Sequence, residues 1–128
     1  MRFEMCVPLL GFESTKEVEL LKIDDVFMKM QSVTDNNISF TLINPFVLRE
    51  YDFEVPSNIQ KLLGINENSN LVILNIVIIQ TPIENSMINF AAPIIFNTDT
   101  KKATQIIISD SEEYGITEKI SDFLSEKN

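Results

Sequence analysis

The sequence predicts a mainly β protein: a small antiparallel β-barrel-like domain with one short internal helix and a C-terminal amphipathic helix. Several segments alternate apolar and polar side chains with period two, as half-buried strands do. One stretch, "LVILNIVIIQ" (71–80), is apolar on both faces, as a central covered strand requires. Turn-forming clusters of Asp, Asn, Pro and Gly separate these segments at short intervals.

Taken in order, "VELLKI" (18–23) and "VFMKMQSV" (26–33) are strands joined by an Asp24-Asp25 turn. In the second, Val26, Met28 and Met30 share one face and Lys29 and Gln31 the other. "TDNN" (34–37) is a turn, because Asp and Asn bond their own backbone. "ISFTLI" (38–43) alternates again, with Phe40 and Leu42 against Ser39 and Thr41. Asn44-Pro45-Phe46 breaks this meander, since a residue before proline is held extended or in a turn. "VLREYDFEV" (47–55) follows, with Tyr51, Phe53 and Val55 on one face.

Pro56 opens a short helix that Ser57 or a neighbour caps. Ile59, Leu62 and Leu63 form its apolar stripe and Gly64 ends it. In strand 71–80, Asn75 sits mid-strand and needs buried partners. "TPIENS" (81–86) connects to "MINFAAPIIFN" (87–97) and "ATQIIIS" (103–109), a strand pair joined by "TDTKK" (98–102). Proline is confined to strand edges, starts and bulges. Pro93 therefore predicts that 87–97 is two strand pieces meeting at a bend. In the tail, Ile116, Ile120, Phe123 and Leu124 fall at helical spacing, which predicts a helix over about 116–126 with Thr117 as its cap. Packing on its own domain is its expected fate. The whole, 1–128, reads as one domain of eight or nine short strands and two short helices.

Composition restricts function. With 19 acids against 10 bases the net charge is −9. Direct nucleic-acid binding needs a cationic face, and an anionic membrane surface would repel this chain. Basic protein partners are favoured instead. Cys6 is the only cysteine, in the apolar context "MCVPLL". It reads as a packed side chain in a reducing compartment, which points to a cytoplasmic protein. The chain has no histidine and only three glycines, which removes Ser-His triads, most metal sites and glycine-rich phosphate loops. The acid groups Asp24-Asp25, Glu50 with Asp52, and Asp110 with Glu112 and Glu113 lack the spacing of a metal loop and read as solvated turns and faces. No cofactor is implied. A binding module is left as the main reading, with "LREYDFE" as a possible protein surface. Tyr51 and Phe53 filling the barrel is the competing role for those rings. A small-molecule-binding barrel and a carboxylate enzyme are the alternative functions.

Three blocks of sequence then become informative together. "FTLINPFVLREYDFEVP" (40–56), "NFAAPIIFN" (89–97) and "QIIIS" (105–109), with "PLLGFES" (8–14) upstream, closely resemble the FliW family of flagellar assembly factors, in family order and spacing. Ala103-Thr104 stands where the family often has Gly-Lys, and the segment before Pro8 is short, implying a reduced first strand. The resemblance implies a non-enzymatic barrel that binds flagellin and the RNA-binding repressor CsrA, one at a time, coupling flagellin level to its translation. Exclusion could come from overlapping sites or from coupling between separate ones. Phe12, Glu13, Glu50, Tyr51 and Asp52 are the expected protein contacts. Gly11, Asn44, Pro45, Phe46, Asn89, Pro93, Asn97 and Gln105 are the motif positions expected to build the fold.

Overall fold

The computed structural model describes residues 1–9, 11–108, 114–115 and 117–124. Its strands are β1 (Arg2–Met5), β2 (Glu17–Lys22), β3 (Phe27–Ser32), β4 (Ser39–Ile43), β5 (Leu71–Ile78), β6 (Met87–Ile88), β7 (Ile94–Asn97), β8 (Lys102–Gln105) and β9 (Glu118–Lys119). Two α-helices, α1 (Ser57–Leu63) and α2 (Ser121–Leu124), and two short 3-10 turns complete the described elements. Asp110, Glu112, Glu113 and Ile116 lie outside the described residues, and so do the residues after Leu124. None of the described helices is long and apolar enough to cross a membrane.

Seven strands close into a barrel in the order β4-β3-β2-β1-β8-β7-β5, with β5 pairing back to β4. All seams are antiparallel but one: β1 runs parallel to β8, with Glu4 beside Lys102 and Met5 beside Ala103. The expected antiparallel barrel thus carries one parallel seam. A ring with an odd number of strands cannot alternate direction all the way round, so one parallel seam is obligatory. The two-residue strands β6 and β9 extend the sheet beyond β5.

The turns that set this register are built locally. The Asp24 Oδ1 accepts the amides of Val26 and Phe27, both at 2.8 Å, and Asp35 Oδ1 accepts that of Asn37 at 3.0 Å. Helix α1 lacks the expected serine cap: Pro56 occupies the cap position without a side-chain hydrogen bond, and Ser57 is its first residue. Gly64 ends it at φ +68°, where a Cβ would also press on Thr100. The last-turn carbonyl of Leu63 accepts from Asn97 Nδ2 (2.9 Å) and Thr100 Oγ1 (2.8 Å). Leu63 is buried, while Leu62, assigned to the same stripe, is exposed.

The interior is filled by side chains such as Phe3, Met30, Leu42, Leu74, Ile94 and Phe96. A second cluster joins Tyr51, Val77, Ile88, Phe90, Tyr114, Ile120 and Phe123, and a third lies under α1 around Leu63, Ile95 and Ile106. Strand β5 serves all three, which is why both its faces are apolar. Cys6 is half-buried, and burial pushes its thiol pKa up.

The bend expected at Pro93 is a wide bulge. Residues 89–93 separate β6 from β7, whereas only Asn75 and Ile76 separate their partners on β5. Asn75 fills the gap: its Nδ2 donates to the Asn89 carbonyl (2.9 Å) and to the Tyr51 hydroxyl (3.1 Å). Tyr51 in turn donates to the Phe90 carbonyl. The Phe90 amide donates to Gly115 O (2.9 Å), Gln105 Nε2 reaches Ala92 O (3.1 Å), and the Ile106 and Ile108 amides reach Pro93 O and Ala91 O. The expected strand 103–109 therefore stops at Gln105, because its later amides follow the bulge and leave Ile107 79% exposed. The start of the expected helix over 116–126 is also corrected. Glu118 and Lys119 pair with β6, and among the described residues the helix covers Ser121–Leu124. Ile120 and Phe123 are nevertheless buried against the second cluster, so this segment does pack on its own barrel.

Asn75 is fully buried, and its amide is the partner of a bulge carbonyl. Asn75→Leu leaves that carbonyl unpaired and should lower stability by about 1–3 kcal/mol. Urea unfolding checks this as a lower midpoint with an unchanged slope.

A candidate protein-binding surface on the 47–55 segment

Residues 50–55 are extended but belong to no ladder. Side chains take the place of a neighbouring strand. The Tyr114 hydroxyl accepts from the Asp52 amide (3.1 Å) and donates to the Asp52 carbonyl (3.0 Å). Tyr51 sits edge-on to Phe46, Phe53, Phe90 and Tyr114, with centroids 4.8–6.1 Å apart. Such aromatic contacts each add about 0.5–1.5 kcal/mol beyond area burial. With Tyr51 buried and Phe53 and Val55 half-buried, the alternate residues Glu50, Asp52 and Glu54 face solvent. The result is an acidic ridge on a rigid apolar base.

Arg49 holds the ridge to the C-terminal segment. Its guanidinium carbon lies 5.2, 4.8 and 5.3 Å from the ring centroids of Phe90, Tyr114 and Phe123. Its Nη1 is 3.6 Å from Glu118 Oε1, and its Nε donates to the Glu50 carbonyl at 3.3 Å. The other Glu118 oxygen accepts the Gly115 amide at 2.6 Å. A cation stacked on aromatic faces and paired with a carboxylate fixes the direction of the chain on both sides.

The expected contact residues fall in different places. Tyr51 is 7% exposed and packs in the second core cluster. Arg49, in the same motif, is likewise drawn into the aromatic box, its side chain 18% exposed. Glu50 and Asp52 are exposed on the ridge. Phe12 and Glu13 lie on the β1–β2 loop. Phe12 stacks edge-on against Phe40 at 5.0 Å. Glu13 closes its own turn by accepting the Gly11 amide (3.0 Å), which also lowers its pKa, and Gly11 supplies the φ of +87° that turn needs. Phe12 thus leans on the barrel-interior cluster and Tyr51 belongs to the second, and no described contact joins the two groups.

Among the motif positions expected to be architectural, Asn44 Oδ1 accepts the Phe46 amide (3.0 Å) at the start of a 3-10 turn over Pro45–Val47. Asn89 gives its carbonyl to Asn75, Asn97 caps α1, and Gln105 stitches the bulge. Pro93 is buried in that bulge. Phe46 differs, being 52% exposed. Sequence reasoning missed Tyr114 and Glu118 altogether. Their partners are distant in sequence, and neither sits in a periodic pattern. Among the described residues no three His, Cys, Asp or Glu side chains gather as a metal site.

Comparison with known proteins agrees along most of the chain. The family model described as "FliW protein" matches residues 2–120. A flagellar assembly factor FliW of Sulfurimonas denitrificans is 62% identical, the match covering 97% of this chain and 98% of that protein. "Flagellar assembly factor FliW 2" of Wolinella succinogenes is 48% identical over 98% of this chain and 93% of its own length. The crystal structure of a flagellar assembly factor FliW superposes with a TM-score of 0.86 over 93% of this chain and 84% of that one; at 23% identity it speaks for the fold.

Burial, opposed by the Asn75 hydrogen bond, pushes the Tyr51 phenol from 10 up to about 12. The folded state thus holds this proton more tightly than the unfolded chain. Its contribution to stability is complete below pH 10 and is lost as pH rises towards 12. Phenolate absorbance during alkaline titration should show a step near 12 that disappears in Tyr51→Phe.

Proposed function

The chain belongs to the FliW family, and from that premise we propose that it acts as a flagellar assembly factor that binds flagellin and holds the RNA-binding repressor CsrA, one partner at a time. The observation that carries this reading is the acidic ridge of Glu50, Asp52 and Glu54 above the Tyr51 base. A protein that grips RNA phosphates presents lysines and arginines. A rigid row of carboxylates on a chain of net charge −9 complements such a face, and cannot itself compete for RNA. Flagellin occupying the chain would release CsrA to repress flagellin translation. Flagellin export would return the chain to CsrA. The role is one of binding and exchange, and the family is one of assembly factors and not of enzymes. The work is done in the cytoplasm, where flagellin is made.

Steering by exposed charge acts on encounter more than on residence. The double substitution Glu50→Lys with Asp52→Lys should slow CsrA association about tenfold at low salt, with dissociation little changed. Stopped-flow binding at two ionic strengths checks this. A wild-type on-rate that ignores salt would remove the ridge from the encounter. Titrating the preformed CsrA complex with flagellin should release CsrA stoichiometrically, and a stable ternary complex would contradict exclusive binding.

A further inference from the structure

The β4–β5 seam is only two pairs long, Leu42 with Ile76 and Ile43 with Asn75. The same register would next set Asn44 against Leu74. Asn44 instead donates its amide to Val26 O (2.9 Å) and stays with β3, and its side chain turns the chain at Pro45, which has no amide to offer. Leu71–Leu74 therefore pair with β7 along one edge. Along the other, no strand among the described residues pairs with them; Leu71, Val72 and Ile73 are half-buried there and Leu74 is buried. A slot of about 340 Å³ opens there, bounded by Asp24, Asp25, Val26, Met28 and Phe46.

We propose that this slot is a strand-docking site for an extended, basic segment of a partner protein. The segment pairs its backbone with the open edge of Leu71–Leu74. It seats an apolar side chain on Val26, Met28 and Phe46 and sets a cationic one against Asp24 and Asp25. An unpaired strand edge is a template for another extended chain. A helix offers it no main-chain groups, because its own are satisfied internally. The floor is apolar: Val26, Met28, Val72 and Ile73 are half-buried, and Phe46 leaves half its surface to solvent. The rim selects charge. Lys22 pairs with Asp25 at 3.2 Å, which leaves the carboxylates in excess. The volume lies near the lower end of the roughly 300–1,000 Å³ range of ligand sites, so only a few residues enter. The slot adjoins the base of the Glu50–Asp52 ridge: the Phe46 ring lies 6.1 Å from that of Tyr51, and Val26 and Ile73 pack on the same cluster as Tyr51. The proposal holds whichever partner carries the segment.

The test uses the full chain, isotopically labelled, and a blocked hexapeptide of alternating lysine and valine. Amide resonances of Leu71–Leu74 should shift, and their hydrogen exchange should slow, as peptide is added. Two N-methylated isomers, modified on odd or on even residues, separate strand pairing from mere charge attraction. One isomer should bind about tenfold more weakly, as loss of one or two hydrogen bonds implies, and the other should bind as the parent does. Asp25→Lys and Phe46→Ser, at exposed positions, should each weaken binding while the rest of the spectrum is unchanged. Equal binding by both isomers overturns the proposal, and so does binding without shifts at Leu71–Leu74. Protection of that edge by protein concentration alone would assign it to a second copy of this chain and overturn it too.

Discussion

Residues 89–93 leave the barrel ladder between β6 and β7, and every polar backbone group among them that is buried has to find a partner away from its own strand. Asn75 answers this from the facing strand, Tyr51 from the extended segment, and Gln105 from β8. One unsatisfied group in such a place costs on the order of 1–3 kcal/mol. The bulge is stable because these three side chains converge on it, together with the backbone of Gly115, Ile106 and Ile108. That convergence fixes where the 47–55 segment lies, and with it which of its side chains face water.

The surface follows from the interior. Tyr51 is pulled inward by Asn75 and Phe90, and in an extended chain its neighbours must then point out. Glu50, Asp52 and Glu54 become a ridge because their backbone is held, through Arg49 at Glu50 and Tyr114 at Asp52, while their side chains are exposed. Arg49 and Tyr51 contact Tyr114, Glu118 and Phe123, and Tyr114 bonds Asp52, so ridge, bulge and the described C-terminal residues are packed together. Asn44-Pro45 acts in the opposite sense: it ends a seam early and leaves an edge of β5 open. One motif closes the barrel and the other keeps a gap in it.

Much of this was legible from sequence where the cause is local. Asp24 and Asp35 announce their turns because each carboxylate bonds amides two or three residues on. The doubly apolar run at 71–78 marks β5, and Pro93 marks the bend. The parallel β1–β8 seam was not legible, since it follows from the number of strands in the ring and not from either strand's pattern. Ile107 was misread because the bulge, and not strand alternation, sets the path after Gln105. Ile120 and Phe123 are buried as their spacing implied, yet pairing of Glu118 and Lys119 with β6 overrode the helix before them. At the site, alternation located the exposed acids correctly. It could not reveal that Tyr51 is buried and Arg49 half-buried, because Tyr114, Glu118 and Phe123 cover them from the other end of the chain.

Asn75 and Tyr51 act together on one bulge. A double-mutant cycle of Asn75→Ala and Tyr51→Phe, read by urea unfolding, measures that directly. A coupling of about 1 kcal/mol or more is predicted, because either substitution alone already breaks the shared network. Additivity within about 0.5 kcal/mol would mean that the two side chains act independently, and would contradict the account.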